Sequence, residues 1–210
     1  MALLVVILGY LLGSIPFSYI MARLVKGIDI RTVGSRNVGG FNVMQQVGFL
    51  PGAVAGLLDV SKGVAALCLT RWLGFSELVM FLVGMAAVFG HCYPLFLGFK
   101  GGKGGSVSAA MALVLLTKES LIAILVGALV FLVTRNIAIT VGTGFAMLIP
   151  LAWWFGRPWP LVLFPLVLLF VMGIRILPDA LKLVARVEHP RDMIFFEGSV
   201  LDRRRKGGEK

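Results

Sequence analysis

The chain has 210 residues, of which 59% are hydrophobic and 14% are charged, and its formal net charge is +10. An ordinary soluble domain is about 45–50% apolar and about 25% charged, so this composition excludes a water-soluble globular protein. The apolar residues form long blocks rather than a two-residue alternation, which also excludes a transmembrane β-barrel. The sequence therefore predicts an all-α, polytopic integral membrane protein.

Apolar blocks of membrane-spanning length follow one another along the chain, since a spanning helix needs about 20 mostly apolar residues. The blocks of full length are residues 2–24, 52–73, 77–97 and 160–177. Three shorter blocks are residues 105–117, 120–134 and 137–155. We predict a helical bundle of about seven transmembrane helices. The alternative is six helices and one half-helix, because the block at 105–117 is too short to span the bilayer untilted.

The distribution of basic residues predicts the orientation, because loops rich in Lys and Arg tend to remain in the cytoplasm. With the amino terminus outside, the basic residues on the cytoplasmic side are Arg23, Lys26, Arg31, Arg36, Lys100, Lys103, Arg135 and those from Arg175 onward. The outer loops then contain only Arg71, Lys118 and Arg157. We predict a transmembrane domain at residues 1–177 and a basic cytoplasmic extension at 178–210. Attraction to anionic membrane lipid explains this charge without nucleic acid.

The first predicted cytoplasmic loop contains the sequence G-S-R-N-V-G-G-F-N at residues 34–42. Glycines allow successive backbone N–H groups to converge on an anion, and Ser, Asn and Arg side chains add donors. The candidate site residues of this segment are Ser35, Arg36, Asn37, Gly39 and Asn42. An ordinary glycine-rich turn is the alternative.

A second glycine-rich segment surrounds Lys103 and directly precedes an apolar helical block. Unpaired amides at a helix start, together with the helix dipole and a lysine, favour phosphate. The candidate residues here are Lys103, Gly101, Gly102 and Gly104. A flexible linker is the alternative.

Charged or titratable side chains also lie within or at the end of apolar blocks. Asp59 and Lys62 are three residues apart and share one helix face, so they form either an ion pair or a substrate-facing group. His91 ends a predicted span before the Lys103 segment, where it could act as a base or donate a hydrogen bond to the backbone. No partner lies at metal-ligand spacing, so we expect neither a metal nor another cofactor.

Together these segments resemble the bacterial acyl-phosphate:glycerol-3-phosphate acyltransferase family, the PlsY proteins. Residues 90–104 agree with the family pattern G-H-x-x-P-x-F-x-x-F-x-G-G-K-G at every specified position. Residues 59–63 are similar to its D-x-x-K-G, and residues 35–42 to its S-G-N-x-G-x-x-N, with Arg36 replacing glycine. Gln45 stands where the family usually has an arginine thought to be important for catalysis.

The resemblance implies a multi-pass enzyme of the bacterial inner membrane that makes lysophosphatidic acid and phosphate from acyl phosphate and glycerol 3-phosphate, without an acyl-enzyme. It implies that Ser35, Arg36 and Asn37 help to hold the acyl phosphate, while Lys103 and the amides of residues 101–104 hold glycerol 3-phosphate. His91 or a substrate phosphate oxygen would accept the hydroxyl proton. The sequence identifies no protein partner.

Two other functions remain as alternatives at this stage. The carboxyl-terminal family pattern is only partly present: His189 and Gly198 agree, whereas Asp192, Phe195 and Val200 replace its Asn, Arg and Glu. These departures would suit a degenerate homologue that binds lipid or a partner protein. Asp59 and Lys62 within an apolar block would suit a small anion or lipid transporter.

Overall fold

The structure, a computed structural model, describes residues 1–184, and every regular element in this range is helical. The chain divides into two compact units, Met1–Leu115 and a second that begins at Leu116. The all-α fold predicted from composition is therefore confirmed.

The first unit contains six α-helices and a short 3₁₀ turn, all of them within the described residues. Its elements are α1 (Ala2–Ser14), α2 (Phe17–Lys26), α3 (Gly40–Gln46), α4 (Phe49–Trp72), α5 (Glu77–Cys92), the turn Leu95–Leu97 and α6 (Gly105–Leu115). Glycines let the helices approach closely, as is usual in membranes. A Cβ at Gly13 would collide with the Ala87 backbone, and one at Gly63 would lie 2.7 Å from the Cβ of Ala110.

The second unit contains three longer helices, α7 (Thr117–Thr134), α8 (Ile137–Trp154) and α9 (Trp159–Val184). Arg135 ends α7 in a left-handed conformation. Asn136 then begins α8, and its side-chain oxygen accepts from the N–H groups of Ala138 and Ile139. This cap explains why the Arg135–Asn136 interruption separates two helices.

The described residues contain six candidate membrane spans, of which the first combines α1 with α2 and the third combines α5 with the 3₁₀ turn, and the shorter helix Gly105–Leu115. This pattern agrees with the predicted alternative of six helices and a half-helix. At about 1.5 Å per residue, α6 extends for roughly half of a hydrocarbon layer about 30 Å thick. It packs against α4 and α5 in the first unit, so its neighbours provide the shelter that a short helix requires.

The first apolar block is not one continuous helix, as the sequence prediction assumed. Pro16 lacks an N–H group and forces the preceding residue away from helical geometry. Ile15 is accordingly extended, with φ −63° and ψ 117°, and it separates α1 from α2. The break leaves the Ile15 carbonyl available to side chains from other helices.

The predicted boundary between residues 177 and 178 lies inside α9. The helix continues through Pro178 to Val184, while the apolar candidate span ends at Pro178. The polar extension thus begins as a continuation of the last helix. The carboxyl-terminal pattern that includes His189 and Gly198 lies outside the described residues.

Candidate active site

The α2–α3 loop is organised around the side chain of Asn42. Its Nδ2 donates to the carbonyl oxygens of Ile30, Val33 and Asn37, and its Oδ1 accepts from the Ser35 N–H at 3.2 Å. Asn42 is buried, and its donors and its acceptor are engaged inside the loop. Asn42 thus shapes the loop through these contacts, and its role as a substrate contact stays a prediction.

Ser35 and Arg36 are exposed at the tip of this loop. Arg36 has φ 59°, a left-handed conformation that favours glycine. This geometry gives a physical reason for the glycine found at this position in the family pattern. The Arg36 N–H donates to the Val33 carbonyl at 3.0 Å, which closes the turn. Asn37 and Gly39 follow on the same loop, and Gly39 precedes the first turn of α3.

Asp59 and Lys62 form a buried ion pair within α4, with Oδ1 and Nζ 2.8 Å apart. Ser18 of α2 donates to the other carboxylate oxygen of Asp59 at 2.8 Å. Lys62 Nζ also donates to the Ile15 carbonyl at 2.6 Å, which the helix break has freed. The predicted ion pair is thus present. Its additional hydrogen bonds, to Ser18 and to the Ile15 carbonyl, attach the region of the α1–α2 break to the middle of α4.

His91 lies between this ion pair and the second glycine-rich segment. Its Nδ1 is 3.7 Å from Asp59 Oδ1. On the other side of the ring, a Cβ at Gly102 would collide with His91 Nε2 and would lie 2.7 Å from the Val38 carbonyl oxygen. His91 therefore lies between α4 and the second glycine-rich segment, and Gly102 of that segment in turn lies close to Val38 of the first.

Residues 101–104 form a loop, called here the glycine–lysine loop, that packs directly on the end of α5. The Gly102 N–H donates to the His91 carbonyl at 3.0 Å. A side chain at Gly101 would collide with the His91 carbonyl oxygen and with Pro94. These two glycines are required for close packing, and the Gly102 amide is engaged in it. Gly104 has φ 89° and directly precedes α6.

Lys103 is half-buried between Gly102 and Gly104. The helix predicted after this loop begins at Gly105. The first N–H groups of a helix have no intrahelical partner and carry a partial positive charge. Lys103 therefore lies next to the amino-terminal N–H groups of α6, which are suited to binding a phosphate group.

A narrow cleft brings several separated segments together in the first unit. Its lining residues are Gly13, Ser14, Ile15, Pro16, Val38, Asp59, Lys62, His91 and Pro94. The candidate residues Asp59, Lys62 and His91 thus share one cleft. Ser35 is three residues from Val38, and Lys103 is adjacent to Gly102, so each lies on a loop that reaches the neighbourhood of this cleft.

Sequence reasoning missed the contribution of the first apolar block to the site. Ser14 and Ser18 are both fully or almost fully buried. The Ser14 hydroxyl lines the same cleft and has no hydrogen-bond partner within residues 1–184. The sequence does contain a sign of this contribution: two serines flank a proline inside an otherwise apolar block. Polar groups in such a block need partners from other segments.

A cluster of charged residues joins the end of α2 to the α2–α3 loop. Asp29 accepts from Arg31 Nη2 at 2.8 Å, and both Arg31 and Arg23 lie over the Tyr19 ring. The hydrogen bonds from Arg31 lower the pKa of Asp29 from 3.8 to about 2, although burial opposes the change. The same interaction raises the pKa of Arg31 above its ordinary value. Arg31 Nη1 also donates to the Leu97 carbonyl at 3.4 Å, which links this cluster to the 3₁₀ turn.

The sequence is similar to one family throughout most of its length. The family model described as glycerol-3-phosphate acyltransferase matches residues 3–186. Glycerol-3-phosphate acyltransferase 2 of Dehalococcoides mccartyi is 36% identical over 178 residues, covering 85% of each chain. Glycerol-3-phosphate acyltransferase 2 of Moorella thermoacetica is 36% identical over 189 residues, covering 90% of this chain and 97% of its own.

Solved structures show the same fold. A crystal structure of PlsY, an integral membrane glycerol 3-phosphate acyltransferase, in its glycerol 3-phosphate form has a TM-score of 0.80 and 33% identity, covering 90% of this chain and 94% of PlsY. The lysophosphatidic acid form of PlsY has a TM-score of 0.78 and 32% identity. Both sequence and fold therefore support the family resemblance found in the motifs.

Proposed function

The chain belongs to the glycerol-3-phosphate acyltransferase family, and from this premise we propose that it transfers an acyl chain from acyl phosphate to the 1-hydroxyl of glycerol 3-phosphate. The products are lysophosphatidic acid and inorganic phosphate. The observation that supports this function best is the packing of His91 against Asp59 and Gly102, with Gly102 in turn close to the Val38 carbonyl. It joins three separated motif segments into a single site.

This reaction suits a site made of cations and backbone amides. Acyl phosphate is a mixed anhydride with phosphate as its leaving group, so the acceptor hydroxyl can attack the carbonyl carbon without a covalent enzyme intermediate. The carbon–oxygen bond to phosphate breaks as the new ester bond forms, and phosphate leaves with the electron pair. Positioning of two anionic substrates and stabilisation of their charge then provide the catalysis.

The proposed substrate contacts lie on the two loops. Lys103 and the amino terminus of α6 hold the phosphate of glycerol 3-phosphate. Ser35, Arg36 and Asn37 hold the acyl phosphate, and Asn42 and Gly39 shape their loop. Ser35 and Arg36 are exposed, so both are accessible to a substrate.

Asp59 and Lys62 support the site from within α4. The ammonium group of Lys62 is buried and is already bound by Asp59 and the Ile15 carbonyl, so Lys62 supports the site through these contacts. Because the two charges neutralise each other, they no longer favour the transporter alternative. The acceptor hydroxyl's proton has two candidate destinations, His91 or a substrate phosphate oxygen.

We place the site at the cytoplasmic face, with the amino terminus outside. The α2–α3 loop contains Arg31 and Arg36, and Lys103 of the glycine–lysine loop follows Lys100, as the positive-inside tendency requires. In this orientation the short helix α6 leads away from the cytoplasmic loops into the membrane.

A direct assay tests the proposed reaction. We expect purified protein in detergent to form labelled lysophosphatidic acid from palmitoyl phosphate and labelled glycerol 3-phosphate. Lys103→Ala should lower kcat/KM by about 100-fold or more, and Ser35→Ala by about tenfold or more, because each removes a donor to developing charge.

The matched control is Lys100→Ala, which removes an exposed lysine from the same segment. It should change kcat/KM by no more than about threefold, since exposed charges act weakly at a distance. Folded wild-type protein that makes no product would reject the function and would favour a degenerate homologue. Equal losses in the Lys100 and Lys103 variants would reject the assigned phosphate contact.

A further inference from the structure

The segment between α5 and the glycine–lysine loop exposes several apolar side chains. Leu95, Phe96 and Phe99 have 48%, 59% and 56% of their surface exposed. Connecting segments normally carry polar residues towards water, and exposed apolar clusters indicate an interaction surface. We call these three residues the phenylalanine knuckle.

The backbone of the knuckle adopts a conformation that is unfavourable for a bulky residue. Phe99 has φ 62°, in the left-handed region, which non-glycine residues with large side chains seldom occupy. Its N–H donates to the Pro94 carbonyl at 2.9 Å, and the Leu97 N–H donates to the same oxygen at 3.2 Å. The fold thus holds an exposed phenyl side chain in a strained conformation, and such strain is concentrated at functional places.

The knuckle is attached firmly to the candidate site on both sides. Arg31 Nη1 donates to the Leu97 carbonyl at 3.4 Å. Two residues after Phe99, Gly101 packs so closely on His91 and Pro94 that a Cβ would collide with both. Any surface that fixes the knuckle therefore also fixes the position of the glycine–lysine loop.

The chemistry of the segment selects a lipid bilayer as the partner. The apolar candidate span Glu77–Leu97 includes Leu95 and Phe96, so the knuckle continues a membrane-facing surface. Lys100 follows immediately and is exposed, which suits anionic headgroups. Apolar and aromatic side chains beside a lysine are typical of segments that lie in the membrane interface.

We propose that the phenylalanine knuckle inserts into the bilayer interface and holds the glycine–lysine loop at headgroup depth. A long-chain acyl phosphate diffusing in the leaflet would then present its phosphate at the level of the loop. The first statement is independent of catalysis, whereas the second rests on the proposed acyltransferase function.

Spin-label accessibility tests the insertion directly in vesicles of phosphatidylcholine and phosphatidylglycerol. Cys68 is exposed and Cys92 is buried, so the Cys68→Ser chain is a background in which a new cysteine can be labelled. A label at Phe99→Cys should collide more with oxygen, which partitions into lipid, than with a water-soluble nickel complex. The control label at Thr32→Cys, on the exposed part of the α2–α3 loop, should show the opposite preference. A nickel preference at Phe99 would overturn the proposal, whether or not the chain has transferase activity.

Donor chain length tests the catalytic consequence. Phe99→Gly removes the ring and also relieves the left-handed backbone, so a loss of folding is not expected. In vesicles this variant should raise KM for palmitoyl phosphate about tenfold. Its kcat/KM for water-soluble butyryl phosphate and its KM for glycerol 3-phosphate should change by less than about twofold.

The control for that measurement is Leu78→Ser, which removes an exposed apolar side chain from the first turn of α5. This variant should leave the KM for palmitoyl phosphate and the kcat/KM for butyryl phosphate unchanged. If Phe99→Gly lowered kcat/KM equally for palmitoyl phosphate and butyryl phosphate, the knuckle would not position the loop for a membrane-borne donor. Failure of all variants and of the wild type to turn over either donor would reject the proposed function instead.

Discussion

Each unit of the molecule contains a buried carboxylate bound to a cation, but the two pairs are built differently. In the first unit, Asp59 and Lys62 are both almost inaccessible and lie on one face of α4. In the second unit, Glu119 of α7 is fully buried, whereas Arg157 in the α8–α9 loop is about a third exposed. Arg157 binds both carboxylate oxygens, through Nε at 2.6 Å and Nη2 at 3.3 Å.

The cation differs between the two pairs, and this difference explains why the Asp59–Lys62 pair contacts the candidate site whereas the Glu119–Arg157 pair only connects structural elements. The planar guanidinium of Arg157 satisfies both oxygens of Glu119 and ties the start of α7 to a loop. The ammonium of Lys62 is a point charge that binds Oδ1 of Asp59, which leaves Oδ2 to accept from Ser18, and His91 Nδ1 lies 3.7 Å from the same Oδ1 that Lys62 binds. Only the first pair therefore extends to motif residues of the candidate site.

The largest effect is expected when Lys62 is replaced by methionine. The change leaves the Asp59 carboxylate buried without its cation, which should lower the free energy of unfolding by about 3–5 kcal/mol. It also removes the contact to the Ile15 carbonyl, and kcat/KM should fall by about 100-fold. Thermal unfolding in detergent and the acyl-transfer assay measure the two effects. A stable and fully active variant would show that the two pairs are equivalent.

The double replacement Asp59→Asn with Lys62→Met sharpens this result. Neutralising both partners removes the unpaired buried charge, so most of the lost stability should return. Activity should remain low, because His91 loses the carboxylate near its Nδ1. Recovery of activity together with stability would mean that the pair has a structural role alone.

A smaller and purely structural effect is expected at Glu119. Glu119→Gln removes the charge that binds Arg157 and should lower the free energy of unfolding by about 2–4 kcal/mol, since Arg157 keeps partial access to solvent. The kcat/KM of the folded fraction should stay within about twofold of the wild-type value. A selective change in KM for either substrate would contradict the contrast between the two units.

The smallest effect concerns Asp29, whose partner Arg31 lies outside the spanning helices. Its pKa in the folded protein is about 2, below the ordinary value of 3.8. The carboxylate therefore stabilises the fold fully above about pH 4, and this contribution disappears as pH falls towards about 2. With solvent screening we expect a loss of about 1 kcal/mol.

Unfolding midpoints measured from about pH 5 down to about pH 1.5, on either side of the expected titration, would check this smallest effect. In the Asp29→Asn variant that part of the pH dependence should be absent. If the variant and the wild type lost the same stability on acidification, the Asp29–Arg31 interaction would not account for it.

Much of the fold could be predicted from local sequence because the bilayer requires long apolar helices. The spans at 77–97 and 160–177 agree closely with the structure. The break at Pro16 was missed because the flanking residues are apolar on both sides, and because the cation that binds the Ile15 carbonyl belongs to another helix. The hydrogen bonds of Asn42 within its loop could not be predicted, since the sequence of a glycine-rich loop does not show whether an amide side chain binds substrate or backbone.

The sequence by itself determined the membrane class, the all-α fold, the Asp59–Lys62 pair and the family, because each depends on local composition, spacing along one helix or an extended motif. Only the tertiary structure decided that His91 connects Asp59 to Gly102, that Gly101 and Gly102 are needed for close packing, and that Glu119 finds Arg157. These contacts join residues far apart in the chain, and their partners are fixed by how the helices pack within each unit.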